Sequence, residues 1–199
     1  MIFCAAGRVV AAGRKPAVRS YRIYLPDHVL EFSLPEEVAR ELSEGQVPDY
    51  FDPTEPNVFN RGFKPLLSAL YDFNGPFWVG AKGSFEFYIF IQQRAPEFEG
   101  DISTIDGLEK YIEWWIPTVR NPARCTFGQS VLNGNQILSR RFDDSKEIIS
   151  MPLDQGMFIE FGLTLMYWAR GSKGWVKKAH AMSDKIRASI MLKPRERPS

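Results

Sequence analysis

Along the second half of the chain, apolar and polar residues alternate in short runs separated by turn residues, the period of two that belongs to β-strands. RCTFGQSVL is followed by Asn133-Gly134, then NQILSRRF, the turn residues Asp143-Asp144-Ser145, KEIISMPL, a second turn at Asp154-Gln155-Gly156, and MFIEFGLTLMYW. Asn-Gly between alternating segments marks a hairpin, because both central positions of the tight turn take φ > 0. The four runs therefore read as an antiparallel meander. Met157, Ile159, Phe161, Leu163 and Leu165 form its clearest apolar face. The period then changes. Trp175, Ala179, Met182 and Ile186 recur at i, i+4, i+7 and i+11, the stripe of an amphipathic helix.

In the first half, YRIYL and HVLEFSL, broken at Pro26-Asp27, predict a tight hairpin that begins near Ser20. Ser33-Leu34-Pro35-Glu36 has the capping-box spacing and predicts a helix over 35–44, ended by Gly45, with Val38 and Leu42 as a narrow stripe and hence a surface position. Residues 46–62 are the longest irregular stretch, with three prolines among Tyr50, Phe51 and Phe59. FKPLLSALYDF fits either a short helix or an irregular segment. FWVGA and SFEFYIFIQQ read as a hairpin around Lys82-Gly83, and both faces of the second strand are substantially apolar, as in a central strand covered on both sides. Ser103 opens a further helix with Asp106 at its third position; Ile105, Leu108, Ile112 and Trp115 make its core stripe, and Pro117 stops it.

The order ββα, irregular, ββα, ββββα defines an α+β fold: an antiparallel sheet of meander and hairpins with helices packed on it. No βαβα alternation supports a doubly wound parallel sheet. Residues 1–19 read as a mobile basic lead-in, 20–193 as a single domain, and 194–199 as a tail. With no basic n-region or long apolar h-region at the start, and no 18-residue uncharged apolar stretch, the chain is expected to be cytoplasmic.

Charge changes this picture through its distribution. Lys and Arg number 25 against 24 Asp and Glu, a formal charge of +1 that predicts no strong overall attraction to nucleic acid or acidic membrane. Yet Asp27 to Glu55 holds nine carboxylates against Arg40 alone, and Glu97 to Glu113 holds six against Lys110. From Arg170 to Arg197 the balance reverses. Such blocks are either solvated faces or an acidic surface that meets a basic partner.

No residue pattern points to chemistry. The two histidines, His28 and His180, are too far apart in sequence to form a zinc motif, so no metal or cofactor is expected. The surroundings of Ser130 lack the second glycine of a nucleophile elbow, and Gly171-Ser172-Lys173-Gly174 lacks nucleotide-loop spacing. Cys125 on a strand reads as a small apolar residue, with no sign of activation. Arg140 and Arg141 lie on opposite faces of one strand, which argues against a nucleic-acid stripe. No catalytic residue is assigned.

The strand entering Met151-Pro152-Leu153-Asp154, the following Met157-Phe158-Ile159-Glu160-Phe161-Gly162, the Trp175-led helix and the ending DKIRASIML resemble bacterial immunity proteins and related small domains of the Mog1/PsbP-like α-β-α class. YRIYLP and FSLPEEV look like that class too. The likeness covers these strands and the last helix; the middle is unmatched, and the 46–62 loop and the basic lead-in depart from the pattern. The resemblance implies a protein that binds a cognate secreted toxin, often one delivered by a contact-dependent or type VI system, and blocks its active site. On that reading the acids Asp49, Asp52, Glu55, Glu97, Glu99 and Asp101 face the toxin, with Tyr50, Phe51 and Phe59 as aromatic anchors. Taken singly, each aromatic is more often core and each acid simply solvated. Two other readings stand beside it: a non-catalytic chaperone or adaptor, and a small hydrolase whose site is built from remote residues around His180 or Cys125.

Overall fold

The computed structural model describes residues 17–196 except 44, 56–57, 60–61, 75–80, 117–124, 144, 155 and 168–173. The alternating segments of the second half form the expected meander: β5 (Thr126–Leu132), β6 (Asn135–Asp143), β7 (Lys146–Pro152) and β8 (Met157–Tyr167), each antiparallel to the next. Asn133 at φ 49° and Gly134 at φ 85° make the left-handed pair that a two-residue hairpin turn requires. β8 pairs on its other side with β4 (Ala81–Gln93), and β4 with β3 (Phe63–Asn74). The result is a six-stranded antiparallel sheet in the order β3-β4-β8-β7-β6-β5. A smaller sheet holds β1 (Val18–Tyr24), β2 (His28–Pro35) and β9 (Met191–Pro194) in that order. The fold is α+β and dominated by antiparallel sheet.

Register explains the core. β4 sets Phe85, Phe87, Ile89 and Ile91 beside Leu165, Leu163, Phe161 and Ile159 of β8, and the four β4 residues are fully buried. This face of the large sheet meets the small sheet, through Ile23, Leu30, Phe32 and Leu34, and α3 (Gly174–Ser189), whose stripe of Trp175, Ala179, Met182 and Ile186 is buried as expected. The opposite face carries α2 (Ile105–Trp115), whose Ile105, Leu108, Tyr111 and Ile112 pack on Leu138 and Phe158. The order through the molecule is therefore α2, the large sheet, then α3 with the small sheet.

Several expectations are corrected. The helix over 35–44 is a single turn, α1 (Glu36–Ala39), and Val38 and Ala39 are fully buried, so it does not lie on the surface. Ser33 is not its cap. It continues β2 opposite Ser20 and its N–H donates to Ser189 Oγ at 2.8 Å, while the Glu36 N–H donates to the Ala17 carbonyl at 3.0 Å. FKPLLSALYDF is neither helix nor irregular: it is the edge strand β3, bulged between Pro65 and Leu67. Lys82-Gly83 is not a turn, since Gly83 pairs with both Phe73 and Tyr167 inside the sheet; most of FWVGA lies outside the described residues.

Thr104 rather than Ser103 caps α2, its side chain accepting the Gly107 N–H. The ending DKIRASIML is not all helix: after Ser189 the chain extends into β9 and pairs with β2. β1 starts at Val18, two residues ahead of the expected onset, and Cys125 precedes β5 rather than lying within it. Residues 1–16, including Cys4, and Pro117 lie outside the described residues.

Candidate binding site

Between β4 and α2 the chain makes a turn that its own polar groups hold in shape. Arg94 Nη1 donates to the carbonyls of Phe98 and Gly100, the latter at 3.1 Å. The Ala95 N–H donates to Tyr111 Oη at 3.1 Å, which ties the turn to the helix. Asp101 accepts both the N–H and the hydroxyl of Ser103 at 2.8 Å. These two bonds, the backbone one foremost, hold the Asp101 carboxyl below the usual carboxylate range. At Gly107 a Cβ would stand 1.9 Å from the Asp101 carbonyl oxygen, so only glycine lets the helix start this close to the turn.

On this frame sit three linked rings: Phe98 lies 5.1 Å from Tyr111 and 5.5 Å from Trp114 between ring centroids. Trp114 and Trp115 each remain 40% exposed, in a chain that buries most of its large apolar side chains. Around them Glu97, Glu99, Asp101, Asp106 and Glu113 are exposed, and Lys110 is the one cation of the segment. Asp106 and Glu109 receive Gln129 Nε2 of β5 at 3.0 and 2.5 Å. One loop-and-helix unit thus gathers the whole second acidic block. Aromatic residues such as these indoles are enriched at protein interfaces.

The first acidic block is built differently. Tyr50 forms a parallel bridge with Tyr24, the Tyr24 N–H reaching the Asp49 carbonyl at 2.8 Å and the Phe51 N–H reaching the Tyr24 carbonyl at 2.9 Å. Phe51 is buried and meets half-buried Phe59 edge-on at 5.9 Å, so these two anchor the loop inward. Tyr50 stays half exposed, with Arg195 over its ring and that of Tyr24. Asp49 and Glu55 are exposed; Asp52 is half-buried and takes the hydroxyl and N–H of Thr54, which lower its pKa. Among the described residues no hydrogen bond, ion pair or ring contact joins Asp49, Asp52 or Glu55 to Glu97, Glu99 or Asp101.

Beside α2, on the same face of the large sheet, runs a groove of about 540 Å³ walled by Phe63, Phe90, Tyr111, Trp115 and Phe158. Its lining includes Arg140 of β6 and Glu160 of β8, an ion pair whose side chains are only 5% and 9% exposed. Ser150 donates to the carboxylate oxygen that Arg140 meets, and Gln92 donates to the other at 2.8 Å. Next to it Tyr88 stacks on Phe90 at 4.6 Å and covers Gly162. Burial, then the charge of Glu160, raises the Tyr88 phenol far above its ordinary range, so the ring stays neutral. The sequence reading missed this pair. Its one visible signal is Glu160, the single charged residue of a largely apolar strand.

The residues named for remote-site chemistry stay apart from the groove. His180 is exposed on α3 and borders a second, polar cleft of about 290 Å³ with Arg141, Lys146 and Arg187; half-buried Cys125 lines neither cavity. Among the described residues no three of His, Cys, Asp and Glu are grouped to hold a metal ion, and no helix is long and apolar enough to cross a membrane. Compared with protein-family models, curated proteins and solved structures, the chain matches none.

Proposed function

We propose that this chain is a non-catalytic binding protein, and specifically an immunity protein of Mog1/PsbP-like α-β-α type. It acts in the cytoplasm, binding a cognate secreted antibacterial toxin, such as a type VI effector, and covering its active site. The observation that supports this reading is the acidic loop and helix from Glu97 to Glu113, held rigid by Arg94, Tyr111 and Thr104 and carrying exposed Trp114 and Trp115. A preordered surface loses little freedom on binding. Its carboxylates steer a basic cleft, of the kind found on toxins that attack nucleic acid, and its indoles supply the desolvated anchor.

The experiment pairs the chain with the product of the adjacent open reading frame, measuring association in solution and protection of cells that express the toxin. Glu97→Lys, Glu99→Lys and Glu113→Lys together leave out Asp101, whose turn the fold needs. That variant is expected to associate about ten-fold or more slowly, with a flatter salt dependence, as steering is lost. Asp49→Lys with Glu55→Lys tests the other loop in the same way. A chain that binds and protects equally well with both sets reversed is not using its acids to recognise a toxin.

A further inference from the structure

The groove beside α2 is unevenly satisfied, and that unevenness describes a ligand. Glu160 receives three donors, from Arg140, Ser150 and Gln92. Arg140 gives one nitrogen, Nη2, to Glu160, while its Nε has no acceptor among the described residues. A guanidinium in this setting is costly to leave short of acceptors. Arg94 lines the same groove and spends its Nη1 on two neutral carbonyls. With two cations against one carboxylate, the lining carries an excess of one positive charge. The remaining wall is mainly aromatic, and the volume falls in the ~300–1,000 Å³ span of small-molecule sites.

From the juxtaposition of apolar wall and acceptor-poor Arg140 we infer that this groove binds an amphiphilic monocarboxylate. The carboxylate of the ligand lies against Arg140 and its apolar body lies along Phe63, Phe90 and Trp115. A single negative charge matches the excess. A more highly charged head would exceed that balance and would have to shed its water against phenyl rings. This site shares Trp115 with the acidic surface above but does not depend on a toxin partner.

Dodecanoate, dodecanol and dodecylammonium share one chain and differ in head group, so they isolate the charge requirement. Binding to the full chain is followed by calorimetry and by the fluorescence of Trp115 and its neighbours. Dodecanoate is expected to saturate a single site about ten-fold or more tighter than dodecanol, the scale of one charge-assisted hydrogen bond, with dodecylammonium weakest. Ala95→Trp fills the groove and keeps the backbone bond to Tyr111, so it should abolish binding while the protein stays folded.

The paired change R140M/E160Q removes the cation that meets the head group and leaves only Arg94, whose Nη1 already serves two carbonyls, so the advantage of dodecanoate over dodecanol should fall several-fold while the alkyl chain is still held. Equal affinity of all three probes for the parent protein overturns the assignment. So does dodecanoate binding that Ala95→Trp leaves intact, or a groove that takes only peptides.

Discussion

Asn133 Nδ2 lies 2.7 Å from the carbonyl oxygen of Ile190, fifty-seven positions along the chain, and 3.0 Å from that of Ala188. One turn residue therefore does two jobs. It takes the left-handed backbone the β5–β6 hairpin needs, and its amide fastens that hairpin to the end of α3. Replacing Asn133 by Gly keeps the backbone and removes only the two bonds, an expected loss of about 1–3 kcal/mol. Asn133→Ala should cost about 1–2 kcal/mol more, because alanine resists positive φ. Urea unfolding of the two variants separates the contributions; equal midpoints would show that the backbone requirement is not felt.

Tyr88 and Gly162 face each other across β4 and β8, and a Cβ on Gly162 would stand 1.9 Å from the Tyr88 ring. Gly162→Ala should destabilise by about 1–3 kcal/mol through overpacking. Removing the ring with Tyr88→Ala should then relieve part of that cost, so the double variant is more stable than the sum of the single effects by about 1 kcal/mol. Strict additivity in a thermal or denaturant cycle would mean the ring does not cover the glycine.

The Arg140–Glu160 pair is a second case for a cycle. Arg140→Met alone leaves a buried carboxylate without its cation and is expected to cost about 3–5 kcal/mol. R140M/E160Q removes the buried charge and keeps an acceptor for one of Ser150 and Gln92, and should recover most of that loss. If the double variant is as unstable as Arg140→Met, the pair is not what sets the cost.

Stability should also depend on pH through Glu31. Its hydrogen bond from Lys193 at 2.6 Å, followed by those from Arg22, holds its carboxyl below the ordinary range. A carboxyl lowered in the folded state stabilises above its unfolded pKa, and the benefit is lost as pH falls through the folded one. The melting temperature of Glu31→Gln should therefore lie below the parent's by a constant gap above about pH 5, and the gap should narrow on further acidification. A gap that persists or widens in acid removes Glu31 as the source.

How much of this was legible follows from how local each signal is. The meander was readable because Asn133-Gly134 and the run from Met157 to Leu165 state turn and strand within a few residues. β3 was not readable, because its bulge sends both Leu66 and Leu67 into the core and breaks the period of two. α1 was overextended because Ser33 and Glu36 have cap spacing, yet Ser33 is already committed to Ser20 and Ser189. β9 continues the apolar pattern of α3, and its partner strand lies some 160 positions earlier, beyond any local signal. The groove is of the same kind: Arg140 meets Glu160 only through the register of β6, β7 and β8.

The return of the chain as β9 has a consequence for self-association. Without Met191–Pro194, the inner strand carrying Leu30, Phe32 and Leu34 would become a margin with open amides and carbonyls. Margins of that kind recruit other polypeptides into shared sheets and seed aggregates. A cut after Ser189 would thus do more than trim ten residues: it would turn a self-contained molecule into a sticky one.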